Sequence, residues 1–228
     1  ADWTHRADDI TRVIAHDRFD IVMSNPPFGQ NLTVHPDVGR REQLKTCRKW
    51  RLIDGTWKHT EEVEEQQLGI AFFERGLELL KPGGKMAIVL PETFLFSKTF
   101  RWFVDWVAKT TTITHIIDVP MVAFEEFCRA KTCILFVRKE APSPGHKILM
   151  SYPRSIGQDK RGKPIYQLND QGRRMGLLDN EMADATALLV GREYRGQAKP
   201  TGKKGDTRLC FSIAQKDIRK RGIMVPRF

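Results

Sequence analysis

Three observations in this chain predict an α/β fold. Short apolar runs at Phe19 to Met23, Lys85 to Leu90, Ile113 to Val119 and Lys131 to Arg138 have strand length and a β-branched or aromatic content that suits a pleated surface. Between them lie two stretches with helical spacing, 61–80 and 94–108, so strand and helix alternate as they do when helices cross over a sheet. Ala141-Pro142-Ser143-Pro144-Gly145 then interrupts the chain like a domain edge, dividing a body, 1–140, from an extension, 141–228, that reads as a small α+β unit.

Taken in order, residues 1–18 are polar, with Asp8 to Ile14 readable as a short helix or a loop. Phe19 to Met23, broken only by Asp20, reads as a buried parallel strand whose end reaches the carboxyl edge of a sheet, where ligands bind. Asn25-Pro26-Pro27-Phe28 follows at once. The proline rings fix φ and remove two backbone donors, and Asn25 is pushed out of the helical region, so the turn is stiff and extended.

Residues 30–60 show little apolar periodicity, and so long a connection is expected to be functional or disordered. Within it, 40–51 is rich in arginine and lysine, and Lys45, Arg48, Lys49 and Arg51 are candidate phosphate contacts; the plainer reading is a solvated loop. From Glu61 to Leu80 the pattern is helical, with Leu68, Ala71, Phe72, Leu79 and Leu80 on one stripe behind an acidic first turn. Gly83-Gly84 is expected to cap that helix. Lys85 to Leu90 is a strand covered on both faces, and Phe94 to Ala108 is a helix whose aromatic stripe packs on the sheet.

Ile113 to Val119 and Lys131 to Arg138 are expected to be antiparallel neighbours joined by a loop carrying Glu125 and Glu126, to which no role is assigned, with Cys133 to Val137 closing the sheet. Beyond residue 145 come a strand at Lys147 to Tyr152 and a hairpin at 156–166 turning on Asp159-Lys160-Arg161-Gly162. A helix from Asn180 to Val190 capped by Asn180, a mobile glycine- and lysine-rich loop at 195–208, a strand at Leu209 to Ile213 and a basic helix at Gln215 to Arg221 complete the chain.

Composition narrows the function classes. No apolar run reaches the roughly 18 residues of a membrane span and no secretory core opens the chain, so a soluble cytoplasmic protein is expected. The four cysteines form no Cys-x-x-Cys pair, which argues against zinc and for free thiols. Residues 1–140 hold 20 basic and 20 acidic side chains, whereas 141–228 hold 18 and 8, so the whole net charge of +10 lies in the extension. A neutral body with a basic appendage suits a polyanionic partner, although a solubilising arm has the same composition.

The turn at 25–28 suits one chemistry. An exocyclic amine on a nucleobase is a poor nucleophile because its lone pair is delocalised into the ring. Two acceptors, the Asn25 side-chain oxygen and the Pro26 carbonyl, can hold both amine hydrogens and turn that lone pair outward, while Phe28 stacks on a base drawn out of the duplex. A strand-ending Asn-Pro turn with no chemistry is the alternative.

These residues carry a resemblance. Asn-Pro-Pro-Phe directly after Phe19-Asp20-Ile21-Val22, with Leu80-Lys81-Pro82-Gly83-Gly84-Lys85-Met86-Ala87-Ile88-Val89-Leu90-Pro91 further on, resembles the N6-adenine DNA methyltransferases, most closely the modification subunits of type I restriction-modification systems. The resemblance is close over residues 17–140 and loose over 146–228. It implies a Rossmann-like class I methyltransferase sheet, S-adenosylmethionine as methyl donor, and catalytic roles for Asn25, Pro26, Pro27 and Phe28, with Asn25 also on the methyl-donor side. It further implies duplex DNA as substrate, together with specificity and restriction subunits as partners. The glycine-rich cofactor turn of that family, expected upstream, is not found, since no Gly-x-Gly occurs in the chain. The 228 residues are therefore expected to be the second half of such a domain, binding the cofactor poorly and inactive alone. RNA and protein-glutamine amino methyltransferases share the turn, and a non-catalytic DNA- or partner-binding module would keep the fold.

Overall fold

Six apolar strands assemble into one mixed sheet in this computed structural model, which describes residues 16–27, 32–34, 44–124, 131–177, 181 and 210–225. The strands are β1 (Phe19–Ser24), β6 (Leu80–Pro91), β7 (Thr112–Val119), β8 (Thr132–Arg138), β9 (Lys147–Ser151) and β12 (Cys210–Ala214). Their order is β1-β6-β8-β7-β9-β12. β1 runs parallel to β6 and β7 parallel to β9, while β8 and β12 run against their neighbours. The carboxyl ends of β1, β6, β7 and β9 therefore share one edge.

Two helices cross one face of the sheet. Helix α1 (Leu68–Leu79) leads into β6, and α3 (Arg101–Thr110) leads into β7 after a short α2 (Thr93–Phe96). Phe73 of α1 meets Phe103 and Trp106 of α3 edge-on at 5.4 and 5.8 Å. Ile70, Phe73, Phe103, Val104 and Val107 close over Ile88, Ile113, Ile116 and Leu135 from the strands, and this is the main core.

Several expectations change in physical detail. β1 is a strand, but it is the edge of the sheet among the described residues. Only Val22 packs on the core, while Ile21 and Met23 are 64% and 81% exposed. Gly83-Gly84 caps no helix: α1 stops at Leu79 and both glycines lie inside β6, where four residues of β6, 81–84, lie against one of β1, Asp20. Gly83 adopts φ +75° and its N–H donates to Lys139 O. A Cβ on Gly84 would stand 2.9 Å from Lys81 O and 3.2 Å from Phe19 O, so only glycine admits β1 beside this bulge.

The helix expected over 61–80 begins at Leu68, because Glu61 to Val63 belong to a strand. The stretch expected as a loop is a hairpin, β3 (Arg48–Ile53) with β4 (Thr56–Val63), turning on Asp54-Gly55 at φ 50° and 71°. Asp-Gly with both residues at positive φ is a two-residue hairpin turn that matches strand twist, a signal present in the sequence but overlooked. The helix expected over 94–108 breaks at Ser97, whose hydroxyl accepts from Thr99 N–H. The small pairs β2 (Thr33–Val34) with β5 (Gln66–Gln67), and β10 (Tyr166–Leu168) with β11 (Arg174–Leu177), stand apart from the main sheet.

Nor does the sheet close at β8, which lies inside it between β6 and β7. The turn at 141–145 leads back into β9, and β12 with helix α4 (Gln215–Arg221) extends the same layer. The Asp159–Gly162 turn forms as expected: Asp159 Oδ1 accepts from Arg161 and Lys163 N–H, which holds that carboxyl below the usual carboxylate range. The expectations for 1–15, Glu125, Glu126, most of the 180–190 helix and the 195–208 loop fall outside the described residues. Among the described residues no helix is long and apolar enough to cross a membrane, and Cys47, Cys133 and Cys210 are free thiols.

Gln215 ties the returning segment down. Its buried amide donates to Ala108 O (2.9 Å) and Thr111 O (2.6 Å) and accepts from Ile113 N–H (2.9 Å). Gln215→Leu strands three buried backbone groups, and chemical denaturation is expected to show a loss of roughly 3 kcal/mol.

His115 adds a pH dependence. It is 1% exposed, its Nε2 meets Ser151 Oγ, its Nδ1 has no partner among the described residues, and burial pushes its pKa down to about 4. The folded state thus binds fewer protons than the unfolded chain between pH 6.5 and about 4, so this contribution is complete above 6.5 and fades as pH falls towards 4. His115→Phe is expected to flatten the dependence of stability on pH across that window, measured as the difference between the two proteins' urea midpoints at several pH values.

Candidate active site

Register decides what stands at the carboxyl edge. Ser24, the last residue of β1, pairs with Ile88, and the chain leaves the sheet at Asn25. The Asn25 side chain is exposed and makes no hydrogen bond among the described residues. Pro26 is buried and Pro27 exposed, so the first ring anchors the turn while the amide of Asn25 projects from it. Phe28 lies outside the described residues.

Next along this edge β6 ends at Pro91-Glu92. Glu92 is buried and its N–H donates to Lys131 O. The Asp118 carboxylate, fully buried at the end of β7, pairs with Lys131 Nζ at 3.1 Å and accepts from the Cys133 thiol at 3.9 Å. The same ammonium lies 5.5 Å from the centre of the Tyr152 ring at the end of β9. Three parallel strand ends are thereby joined to the start of β8 by one polar cluster. Sequence reasoning missed it; its signal was one carboxylate at the end of an otherwise apolar strand, Ile116-Ile117-Asp118-Val119.

The four candidate phosphate contacts gather elsewhere, on the hairpin layer outside α1 and α3. Lys45 opens a 3-10 turn whose first two N–H groups donate to the buried Glu74 carboxylate of α1 at 2.9 and 2.7 Å. Arg48 pairs with Glu61 (3.6 Å), and Lys49 and Arg51 pair with Glu62 (2.8 and 3.4 Å). The hydrogen bond from Lys49 holds the Glu62 carboxyl below its ordinary range although the side chain is exposed. Basic and acidic runs that look independent in sequence thus face each other across one hairpin, and surface pairs of this kind add little stability. The structure does not bring these residues into contact with Asn25.

The family model for N-6 DNA methylases matches residues 3–220 of the chain. Among solved structures the chain is similar to a component of a type I R-M system studied for complex assembly and conformational transition, 20% identical with a TM-score of 0.56, covering 95% of this chain and 38% of that one. It is also similar to the EcoKI M protein of a type I restriction enzyme, 14% identical, TM-score 0.56, covering 97% and 44%. A third is the type I restriction-modification methyltransferase subunit from Streptococcus thermophilus, 15% identical, TM-score 0.50, covering 99% and 41%. At these identities the likeness is one of fold, and the chain spans about two fifths of the length of each. No curated protein matches it.

Lys131→Met is expected to leave Asp118 without its ammonium. Because Lys131 keeps part of its side chain in solvent, the loss should be roughly 2–3 kcal/mol, below that of a fully buried pair, as read from the urea midpoint.

Proposed function

The chain belongs to the N-6 DNA methylase family, and from that premise we propose that it carries the target-base half of a DNA adenine-N6 methyltransferase of the restriction-modification kind. One observation carries the reading: the Asn25 amide projects from the carboxyl end of β1 with no hydrogen-bond partner among the described residues. An exposed amide on a proline-stiffened turn at this edge is an acceptor kept free for a ligand.

In this reading Asn25 Oδ1 and the Pro26 carbonyl accept the two hydrogens of the adenine amino group, and Phe28 stacks on the base after it leaves the duplex. Holding both hydrogens localises the nitrogen lone pair on the side away from the acceptors and leaves Oδ1 positioned to stabilise the charge that develops on nitrogen. Pro26 and Pro27 carry no N–H to compete for these acceptors, and their rigidity means little freedom is lost when the base binds. S-adenosylmethionine, the donor implied by the family, supplies a methyl group on a positively charged sulfur. Asn25 is the residue of this chain that would face that methyl, since it follows directly on the carboxyl end of β1.

Duplex DNA is the proposed substrate, and the basic excess of 141–228 supports a polyanionic partner. Lys45, Arg48, Lys49 and Arg51 would contact phosphates, the last three only by exchanging Glu61 and Glu62 for DNA, so their contribution should be strongly salt-dependent. Assembly with specificity and restriction subunits is proposed by analogy with the type I R-M component of similar fold. RNA and protein glutamine are the competing amine substrates.

In the complete gene product, Asn25→Ala is expected to lower turnover on duplex DNA by roughly 10² while leaving the urea midpoint unchanged. Radiolabelled methyl transfer to duplex DNA, RNA and protein offered in parallel measures both turnover and substrate class. Unreduced transfer in the variant, or transfer to RNA or protein in place of DNA, would overturn the reading.

A further inference from the structure

We propose that the recess between the β3–β4 hairpin and α3 is a second ligand site that takes a phosphorylated nucleotide unit. The recess has a volume of about 410 Å³, in the range of small-molecule sites. Its hairpin wall follows from the register: Trp50 pairs with His59 and Leu52 with Trp57, which puts both indoles on the face turned to α3. Trp50 is a rigid platform. One face stacks on Trp102 at 4.9 Å and 14°, and its Nε1–H donates to Lys45 O at 3.0 Å. Trp57 lines the same recess, half-buried and packed against the core, and makes no ring contact among the described residues, so the part of its indole left exposed is available to a planar group.

The charge is one-sided. Lys45 and Lys109 line the recess together with Lys58, whose side chain leaves the other face of β4 because it pairs with Arg51, and none of the three ammonium groups meets a carboxylate among the described residues. The acid at the site, Asp105, is already held by Arg219 Nε at 2.8 Å. Lysines with no carboxylate partner among the described residues, beside a partly exposed indole, call for an anion attached to a flat ring. A nucleotide joins the two, with phosphate for the lysines and base for the indole. An acidic peptide would satisfy the lysines and leave the indole unused.

This recess is not the target-base site. α3 leads from the β6 end of the edge to the start of β7, and Lys109 and Thr110 of the recess are its last two residues. The ligand therefore sits towards the opposite end of the parallel strands from Asn25, and the inference stands independently of the reaction proposed above. Free nucleotide and single-stranded nucleic acid present the same chemistry, and the test separates them.

Isothermal titration of the 228-residue chain with AMP, a short oligothymidylate, inorganic phosphate and polyglutamate decides the matter. Saturable binding of AMP or the oligonucleotide is expected. Comparable affinity for both would identify a free nucleotide, and much tighter binding of the oligonucleotide a single strand. Lys45→Ala/Lys109→Ala should weaken binding at least tenfold and Trp57→Phe measurably, with circular dichroism verifying that each variant is folded. The assignment is overturned by absence of saturable binding, by inorganic phosphate or polyglutamate binding as tightly as the nucleotide, or by unaltered affinity in the lysine double variant.

Discussion

Parallel pairing of β1 with β6 governs what this molecule can present. β1 has no second neighbour among the described residues, so its position rests on one ladder and on Val22 reaching the core. The approach is possible because Gly84 has no side chain where Phe19 O passes. A slip of one residue would bring Ile21 or Met23 to the core and move a different residue past Ser24. The exposed amide of Asn25 is thus a consequence of a glycine about sixty residues away in sequence.

A second feature is the economy of charge. The basic run after Leu44 and the acidic run after Thr60 fold against each other, and the Glu74 carboxylate, buried on α1, is satisfied by two backbone N–H groups at the base of the hairpin. The third layer is therefore held by hydrogen bonds at its root and by the Trp50–Trp102 stack along its face, with ion pairs confined to its solvent side. Lys45, Lys58 and Lys109 meet no carboxylate among the described residues, and they line one recess.

The carboxyl edge and the hairpin layer are separate neighbourhoods. At the edge, Lys131 and Asp118 cancel each other and brace β7, β8 and β9. The pair stiffens the rim on which Asn25 also stands. The tail, set apart by composition, is joined by backbone pairing: β9 and β12 extend the sheet, and Gln215 bonds to the turn between α3 and β7.

Local chemistry made the strands, the stiff Asn25-Pro26-Pro27 turn and the apolar helix faces legible in the sequence, because proline geometry, β-branched runs and 3.6-residue spacing act within a few residues. Partnership was not legible at that range. Whether Ile21 is covered, whether Gly83-Gly84 ends a helix or bends a strand, and which carboxylates meet Arg48 and Lys49 depend on segments brought together from distant positions. Burial and pairing are properties of two surfaces, and the sequence of one surface carries the identity of the other only after the chain has folded.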